Sequence, residues 1–263
     1  ALRDLDWTSG TETSASFLRK FAAMGGVVEE MLVAGEIHSP SVQMRISPDG
    51  QPGLVSSHEQ ILGGATGQSY LGCRFPADDE YRVQLLREAA RIGEVLSRKG
   101  VIGRFGIDFL VSRDGPGDWT ANAIEINLRM GGTTPPFHAM EFLTGGKLDP
   151  ASGLFLASQG QPKYYSATDN LKSPAYRGLL PEDLFEIIAR HGIGYSHATG
   201  SGALFHMIGA LSQYGKVGLT CIAHSAADAQ QLFDHTAGVL DNETESGSHG
   251  VQAPLFDRHL PME

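Results

Sequence analysis

Between Val101 and Thr134 apolar and polar side chains alternate with the period of two that sends them to opposite faces of a strand. Phe105, Ile107, Phe109 and Val111 are predicted to face one way with Ile124, Ile126 and Leu128, while Asp108, Glu125, Asn127 and Arg129 face the other. The segment Asp114-Gly115-Pro116-Gly117-Asp118 reads as a turn, so the two runs fold back as an antiparallel hairpin. Asp108 then lies opposite Glu125 or Asn127, where cross-strand Cβ atoms sit about 5 Å apart. The run Arg129-Met130-Gly131-Gly132-Thr133-Thr134 follows at once.

The same patterning places the other elements. A helix is predicted over Ala15–Met24 behind capping hydroxyls at Thr11 to Ser14, with Phe17, Leu18, Phe21 and Met24 on one face and Gly25-Gly26 as its stop. Val27 to Leu32 reads as a strand. Ser41–Ile46 and Leu54–Leu62 read as strands around the turn Ser47-Pro48-Asp49-Gly50, and Gly63 to Phe75 as a glycine-containing loop. Asp79 to Lys99 is the clearest helix, carrying Tyr81, Leu85, Ala89, Ile92, Val95 and Leu96 as a stripe and stopped by Gly100. A short helix over Phe137 to Leu143 follows Pro135-Pro136.

Turn residues crowd Asp149 to Pro162, which marks a boundary between two units. Beyond it come a strand (Lys163–Thr168), a helix (Pro181–His191), two strands (Ala203–Leu211 and Lys216–His224) joined as a hairpin at Ser212 to Gly215, and a helix (Ala226–Leu240). From Asp241 the chain is polar and rich in Gly and Ser, the composition of a largely disordered tail.

Length and composition change this picture little. With 263 residues and 41% hydrophobic content the chain holds one large or two modest cores. A formal net charge of -10 argues against nucleic acid and anionic membrane as partners. No run approaches the roughly 20 apolar residues of a membrane span. Cys73 and Cys221 lack metal-type spacing and read as ordinary thiols of a cytoplasmic protein.

Two carboxylates and an amide oxygen on stiff strands, beside an arginine, form the donor set of a magnesium–phosphate site. Magnesium takes hard oxygens, usually only one or two protein carboxylates, and leaves positions for phosphate oxygens. The competing reading is a hairpin whose polar face is merely solvated. Elsewhere, His58-Glu59-Gln60 is either a substrate-lining run or a polar rim, and His206 reads as a core histidine between Phe205 and Met207. His191, His197, His224 and His235 show no metal spacing on one element. Lys163-Tyr164-Tyr165 and Asp169-Asn170 are candidates to close over the site, against core packing for the aromatic pair. Ser201 lacks the strand-to-elbow context of a nucleophile.

Gly106-Ile107-Asp108 followed by Glu125-Ile126-Asn127-Leu128-Arg129, with Glu29-Glu30-Met31-Leu32 upstream, resembles the ATP-grasp ligases. The similarity is to the peptide-ligase, or carboxylate-amine ligase, branch related to the pheganomycin peptide ligase. It implies an α+β fold, an ATP-grasp C-terminal lobe of antiparallel sheet with packed helices followed by a smaller α+β domain. Residues 1–148 would be the ATP-grasp portion, with the hinge strand and metal-binding lobe. Residues 149–240 would be the small C-terminal domain and 241–263 the tail. The resemblance implies that Asp108, Glu125 and Asn127 bind Mg2+, with Mn2+ an alternative, and that Arg129 contacts the transferred phosphate. It further implies that Glu29, Glu30, Met31 and Leu32 hold the adenine edge of ATP and that Glu36 holds the ribose.

In that family ATP phosphorylates a carboxylate to an acyl phosphate, which an amine attacks to give an amide, ADP and phosphate. Small-molecule or peptide carboxylates and amines are the implied substrates, and a homo-oligomer is left open. The family also carries a substrate domain, two nucleotide-binding lysines and a glycine-rich loop ahead of the hinge. The chain is therefore expected to be the C-terminal portion of a longer ligase. Relatives tend to place a histidine where this chain has Pro135. The alternative reading is a non-catalytic module that binds ATP and magnesium.

Overall fold

The computed structural model describes residues 13–63 and 69–247, with side chains as far as residue 244. Its strands are β1 (Glu36–His38), β2 (Pro40–Ile46), β3 (Pro52–Gly63), β4 (Ser69–Phe75), β5 (Gly103–Arg113), β6 (Thr120–Asn127), β7 (Lys147–Leu148), β8 (Phe155–Leu156), β9 (Pro162–Lys172), β10 (Gly202–His206) and β11 (Lys216–Ala223). The helices are α1 (Ser14–Met24), α2 (Arg82–Arg98), α3 (Thr134–Thr144), α4 (Pro181–His191), α5 (Leu211–Tyr214) and α6 (Ala226–Gly247).

Every pairing between these strands is antiparallel. β1 and β2 keep one register on β5, with Glu36 opposite Arg113 and Ser41 opposite Asp108, so they act as one strand interrupted at Ser39. The sheet runs from β6 through β5, β2, β3, β4, β9 and β11 to β10. β4 meets β9 through Cys73 opposite Ala167 and Phe75 opposite Tyr165, so hydrogen bonds join the strands on either side of the turn-rich stretch Asp149 to Pro162.

Three packed clusters cover this sheet. Leu85, Leu86 and Ala89 of α2, with Tyr81 at its N-cap, pack on Val42, Met44, Phe105, Ile107, Phe109 and Val111. Phe137 and Met140 of α3 pack on Cys73, Phe75, Phe155 and Tyr165, with the Phe75 and Tyr165 rings stacked at 5.3 Å. α4 and α6 bury Leu184, Ile187, Val239 and Leu240 against Val217, Leu219 and Cys221. Thr13 caps α1 through its side chain, and Gly192 ends α4 in the left-handed region that favours glycine.

Several expectations are corrected. Residues 27–32 form no strand, and Val27, Val28 and Met31 are each at least 80% exposed. An apolar run becomes a strand only where a neighbour accepts its hydrogen bonds, and among the described residues none is beside it. The expected loop from Gly63 to Phe75 instead contains β4; residues 64–68 lie outside the described residues. β10 stops at His206, because Met207 turns to φ 57 and opens a 3-10 turn at Ile208–Ala210. α6 runs on to Gly247, beyond the expected start of the tail at 241.

His58 is fully buried, its Nε2 2.7 Å from the Tyr165 hydroxyl. It belongs to the core rather than to a substrate rim. Burial pushes its pKa from 6.5 down to about 3. The folded protein therefore refuses a proton that the unfolded chain accepts below pH 6.5, and the stability present above that value is lost as pH falls toward 3. Stability is expected to fall by about 1.2 kcal/mol more in wild type than in His58→Asn between pH 6 and 5. Urea denaturation of both proteins at the two pH values checks this; parallel slopes would contradict it.

Candidate functional site

β5 carries Asp108 between buried Ile107 and Phe109, so the carboxylate emerges on the face away from α2. The register sets Asp108 opposite Glu125 and Gly106 opposite Asn127, with an irregularity after Asp108. Asn127 Nδ2 donates to Asp108 Oδ2 at 3.0 Å, and Gln60 Nε2, reaching from β3, donates to Oδ1 at 2.8 Å. Burial, then the facing Glu125 carboxylate, raises the pKa of Asp108, while Gln60, Arg129 and Asn127 pull it back.

These residues line a cavity of about 270 Å³ together with Ser41, Gln43, Tyr70, Asp169 and the Gly131-Gly132-Thr133 loop. Gly106 is glycine for a local reason: a Cβ there would sit 2.9 Å from Gln43 Oε1, so the bare backbone lets Gln43 lie across the strand. Thr134 N–H turns back to the Gly131 carbonyl at 3.1 Å, closing the loop into α3. Pro135 and Pro136 follow at the first helical positions, where proline is tolerated because those N–H groups have no helical partner.

The site thus brings together Asp108, Glu125, Asn127 and Arg129. Among the described residues no group of three His, Cys, Asp or Glu side chains converges on a metal position. Two carboxylates with an amide are nevertheless the number and kind of donor that magnesium takes. The residues fit that ion in a second way, since a cation would offset the Asp108–Glu125 repulsion that raises the Asp108 pKa. Ser41 Oγ, opposite Asp108 on β2, and Thr133 Oγ1 are buried without a partner in this cavity wall.

The structure does not bring Glu36 to this patch. Its register partner Arg113 is five residues beyond Asp108 on β5, about 17 Å at strand rise. The Glu36 carboxylate receives Arg113 Nε at 2.8 Å and contacts His38 Nε2 at 3.0 Å, and those bonds hold its pKa down. Arg113 also pairs with Glu80 at 2.7 Å and covers the Trp119 ring at 4.2 Å. Glu29, Glu30, Met31 and Leu32 lie in the exposed strandless segment.

Gln60, Tyr70 and Asp169 complete the walls. Gln60 was signalled by its place in His58-Glu59-Gln60, whose other members go elsewhere, Glu59 accepting the Tyr81 hydroxyl at 2.6 Å. Tyr70 and Asp169 arrive from β4 and β9, and both stand within 4 Å of where a Gly132 Cβ would be. Ile124, Ile126 and Leu128, expected to share the buried face of Ile107, are 42%, 43% and 59% exposed. α2 packs over β2, β3 and the side chains of β5 and stops one strand short of β6. His206 is half-buried across Gly218, where a Cβ would meet its ring, and burial lowers its pKa.

A family model described as IQCH-like, ATP-grasp, matches residues 8–151, and one described as PGM1 C-terminal domain matches residues 183–236. An L-propargylglycine--L-glutamate ligase of Streptantibioticus cattleyicolor is 40% identical over 215 residues, which are 81% of this chain and 42% of that protein. The chain therefore spans under half the length of that curated relative. The phosphoribosylaminoimidazole carboxylase ATPase subunit of Aquifex aeolicus shares the fold at TM-score 0.50 and 13% identity, covering 81% of this chain and 58% of that one. Biotin carboxylase of Campylobacter jejuni does so at TM-score 0.50 and 15% identity, covering 82% and 48%.

The orphaned Thr133 hydroxyl gives a stability prediction. Thr133→Val, which keeps the shape and removes an unpaired buried polar group, is expected to raise stability by about 1 kcal/mol. Denaturant unfolding measures it, and a loss of stability would show that the hydroxyl has a partner in the folded protein.

Proposed function

The chain belongs to the ATP-grasp family, and from that premise we propose that it forms the metal- and phosphate-holding part of an ATP-dependent ligase. The reaction proposed is the joining of a carboxylate to an amine through an acyl phosphate. The observation that carries this reading is the Asp108 carboxylate, oriented by Gln60 and Asn127 and facing Glu125, in one cavity with Arg129 and the glycine loop. The named activity of the 40%-identical relative supports two amino acids as the substrates, one supplying the carboxylate and the other the amine.

Asp108, Glu125 and Asn127 would hold Mg2+, or Mn2+, against the ATP phosphates. When bound, that ion neutralises phosphate charge and templates the displacement. The protein's own work is positioning and electrostatics. Arg129 projects a permanent positive charge from the end of β6 toward the same cavity and stabilises charge on the transferred phosphoryl group. The Gly131-Gly132-Thr133 backbone offers donors to the substrate carboxylate and then to the acyl-phosphate oxygens. Asp169, across the cavity, supplies an acceptor for the incoming ammonium and for the proton it must shed before attack.

Adenine contact is proposed along Glu29, Glu30, Met31 and Leu32, with Glu36 toward the ribose, once a neighbouring strand pairs with that segment. The turn-rich stretch from Asp149 would separate a metal-binding portion, 1–148, from a C-terminal unit, 149–240. Among the described residues no helix is long and apolar enough to cross a membrane. Cytoplasmic residence is the reading favoured by two buried, unpaired thiols, Cys73 and Cys221.

In the whole protein, Glu125→Gln is expected to lower magnesium-dependent ADP release by about a hundredfold or more. A coupled ADP assay with amino-acid pairs measures it. Wild-type turnover in the variant would remove Glu125 from the metal site.

A further inference from the structure

A second cavity, of about 340 Å³, opens at the far end of α3, lined by Thr144, Ser158, Gln159, Gln161, Lys163 and Thr199 among others. It shares no lining residue with the cavity around Asp108, whose wall meets the opposite end of α3, about 16 Å away along that helix. Among the described residues no acidic side chain lines it. Among the described lining residues the one cation other than histidine is Lys163, the second residue of β9, which is only 3% exposed.

Lys163 Nζ donates to the Gly200 carbonyl at 2.6 Å and lies 3.2 Å from His224 Nδ1. His224 Nε2 is 2.9 Å from the Thr199 carbonyl, which can only accept, so Nε2 carries the ring proton and Nδ1 accepts from Lys163. An ammonium has three N–H donors. Two are used here, and among the described residues no acceptor takes the third and no carboxylate pairs with the charge. Gly200 makes the close approach: its φ of 63 suits glycine, and a Cβ would stand 2.7 Å from Nζ.

A buried cation without a counter-charge is costly unless a ligand supplies one. Burial already pushes the Lys163 pKa down. The surrounding Gln159, Gln161, Ser158 and Thr144 side chains add neutral donors and acceptors suited to the uncharged part of a small polar molecule. We propose that this cavity binds a compact oxyanion, the carboxylate or phosphate group of a small molecule, with Lys163 as its counter-charge. The site is independent of the ligase reading, since it uses none of the residues placed around Asp108. An oxyanion here would tie β9 to the Tyr195–Gly200 loop, which presently meet through Lys163.

Inorganic phosphate and N-acetylglycine serve as probes, titrated by calorimetry and amide NMR into the full chain and into Lys163→Met and Gln161→Leu. At least one probe is expected to shift the amides of Thr144, Gln161 and Thr199, with affinity falling as pH rises through the Lys163 pKa. Lys163→Met is expected to weaken binding about thirtyfold or more. Gln161→Leu, at an exposed position whose side chain has no hydrogen-bond partner among the described residues, is expected to keep the fold and weaken N-acetylglycine several-fold, and it carries the test if Lys163→Met does not fold. Response to phosphate alone or to N-acetylglycine alone assigns the oxyanion. Silence to both probes, or undiminished binding in both variants, would overturn the proposal and leave Lys163 as a brace for the loop.

Discussion

Asp108 stands where it does because Phe105, Ile107, Phe109 and Val111 are buried beneath α2. Each fully buried side chain of this size contributes about 1.5–3 kcal/mol, and a one-residue slip of β5 would turn all four outward. That penalty far exceeds what the lone carboxylate loses by being half-buried beside Glu125. The core thus imposes an electrostatically unfavourable pair on the opposite face, and β2, β3 and β6 arrange their polar side chains around it. Gln60 and Asn127 give Asp108 its hydrogen bonds, and Gly106 clears room for Gln43.

Two arginines on this lobe illustrate how burial and pairing divide labour. Arg113 is locked by Glu36, Glu80 and the Trp119 ring at the end of β5. Arg129, following β6, hydrogen-bonds among the described residues only to the Met130 carbonyl, at 3.3 Å, and lines the cavity with its charge available to it. A guanidinium clamped by two carboxylates organises structure, whereas one with a single long backbone contact can turn to a ligand. The same contrast separates Glu36, saturated by its neighbours, from Glu125, which faces the cavity.

The hairpin was legible in the sequence because alternation and the Gly/Pro turn both act locally; they left Asp108 opposite Glu125 or Asn127, and the structure selects Glu125 with an irregularity after Asp108. The exposure of β6 was not legible: Ile124 and Ile126 have the right period, yet α2 covers β2, β3 and β5 and leaves the outermost strand bare. Likewise Val27 to Leu32 has strand composition but, among the described residues, no partner strand beside it. β4 was hidden because Gly72 adopts φ 159 and packs against the Ala167 carbonyl, a long-range contact with β9 that no local pattern announces. Tyr70, Asp169 and Lys163 depend on that same β4–β9 seam and its neighbours. Their surroundings could only come from three-dimensional pairing.

β6 pairs with β5 alone among the described residues, whereas β5 is flanked on both sides. The three oxygen donors are therefore divided between two grades of local stability. Asp108 can leave its place only when the interior of the sheet opens, while Glu125 and Asn127 ride on a strand that can fray by itself. In the metal site proposed above, one half of the ion's coordination would be held rigidly and the other half offered on a strand free to yield, a division suited to a ligand that must be gripped and then released.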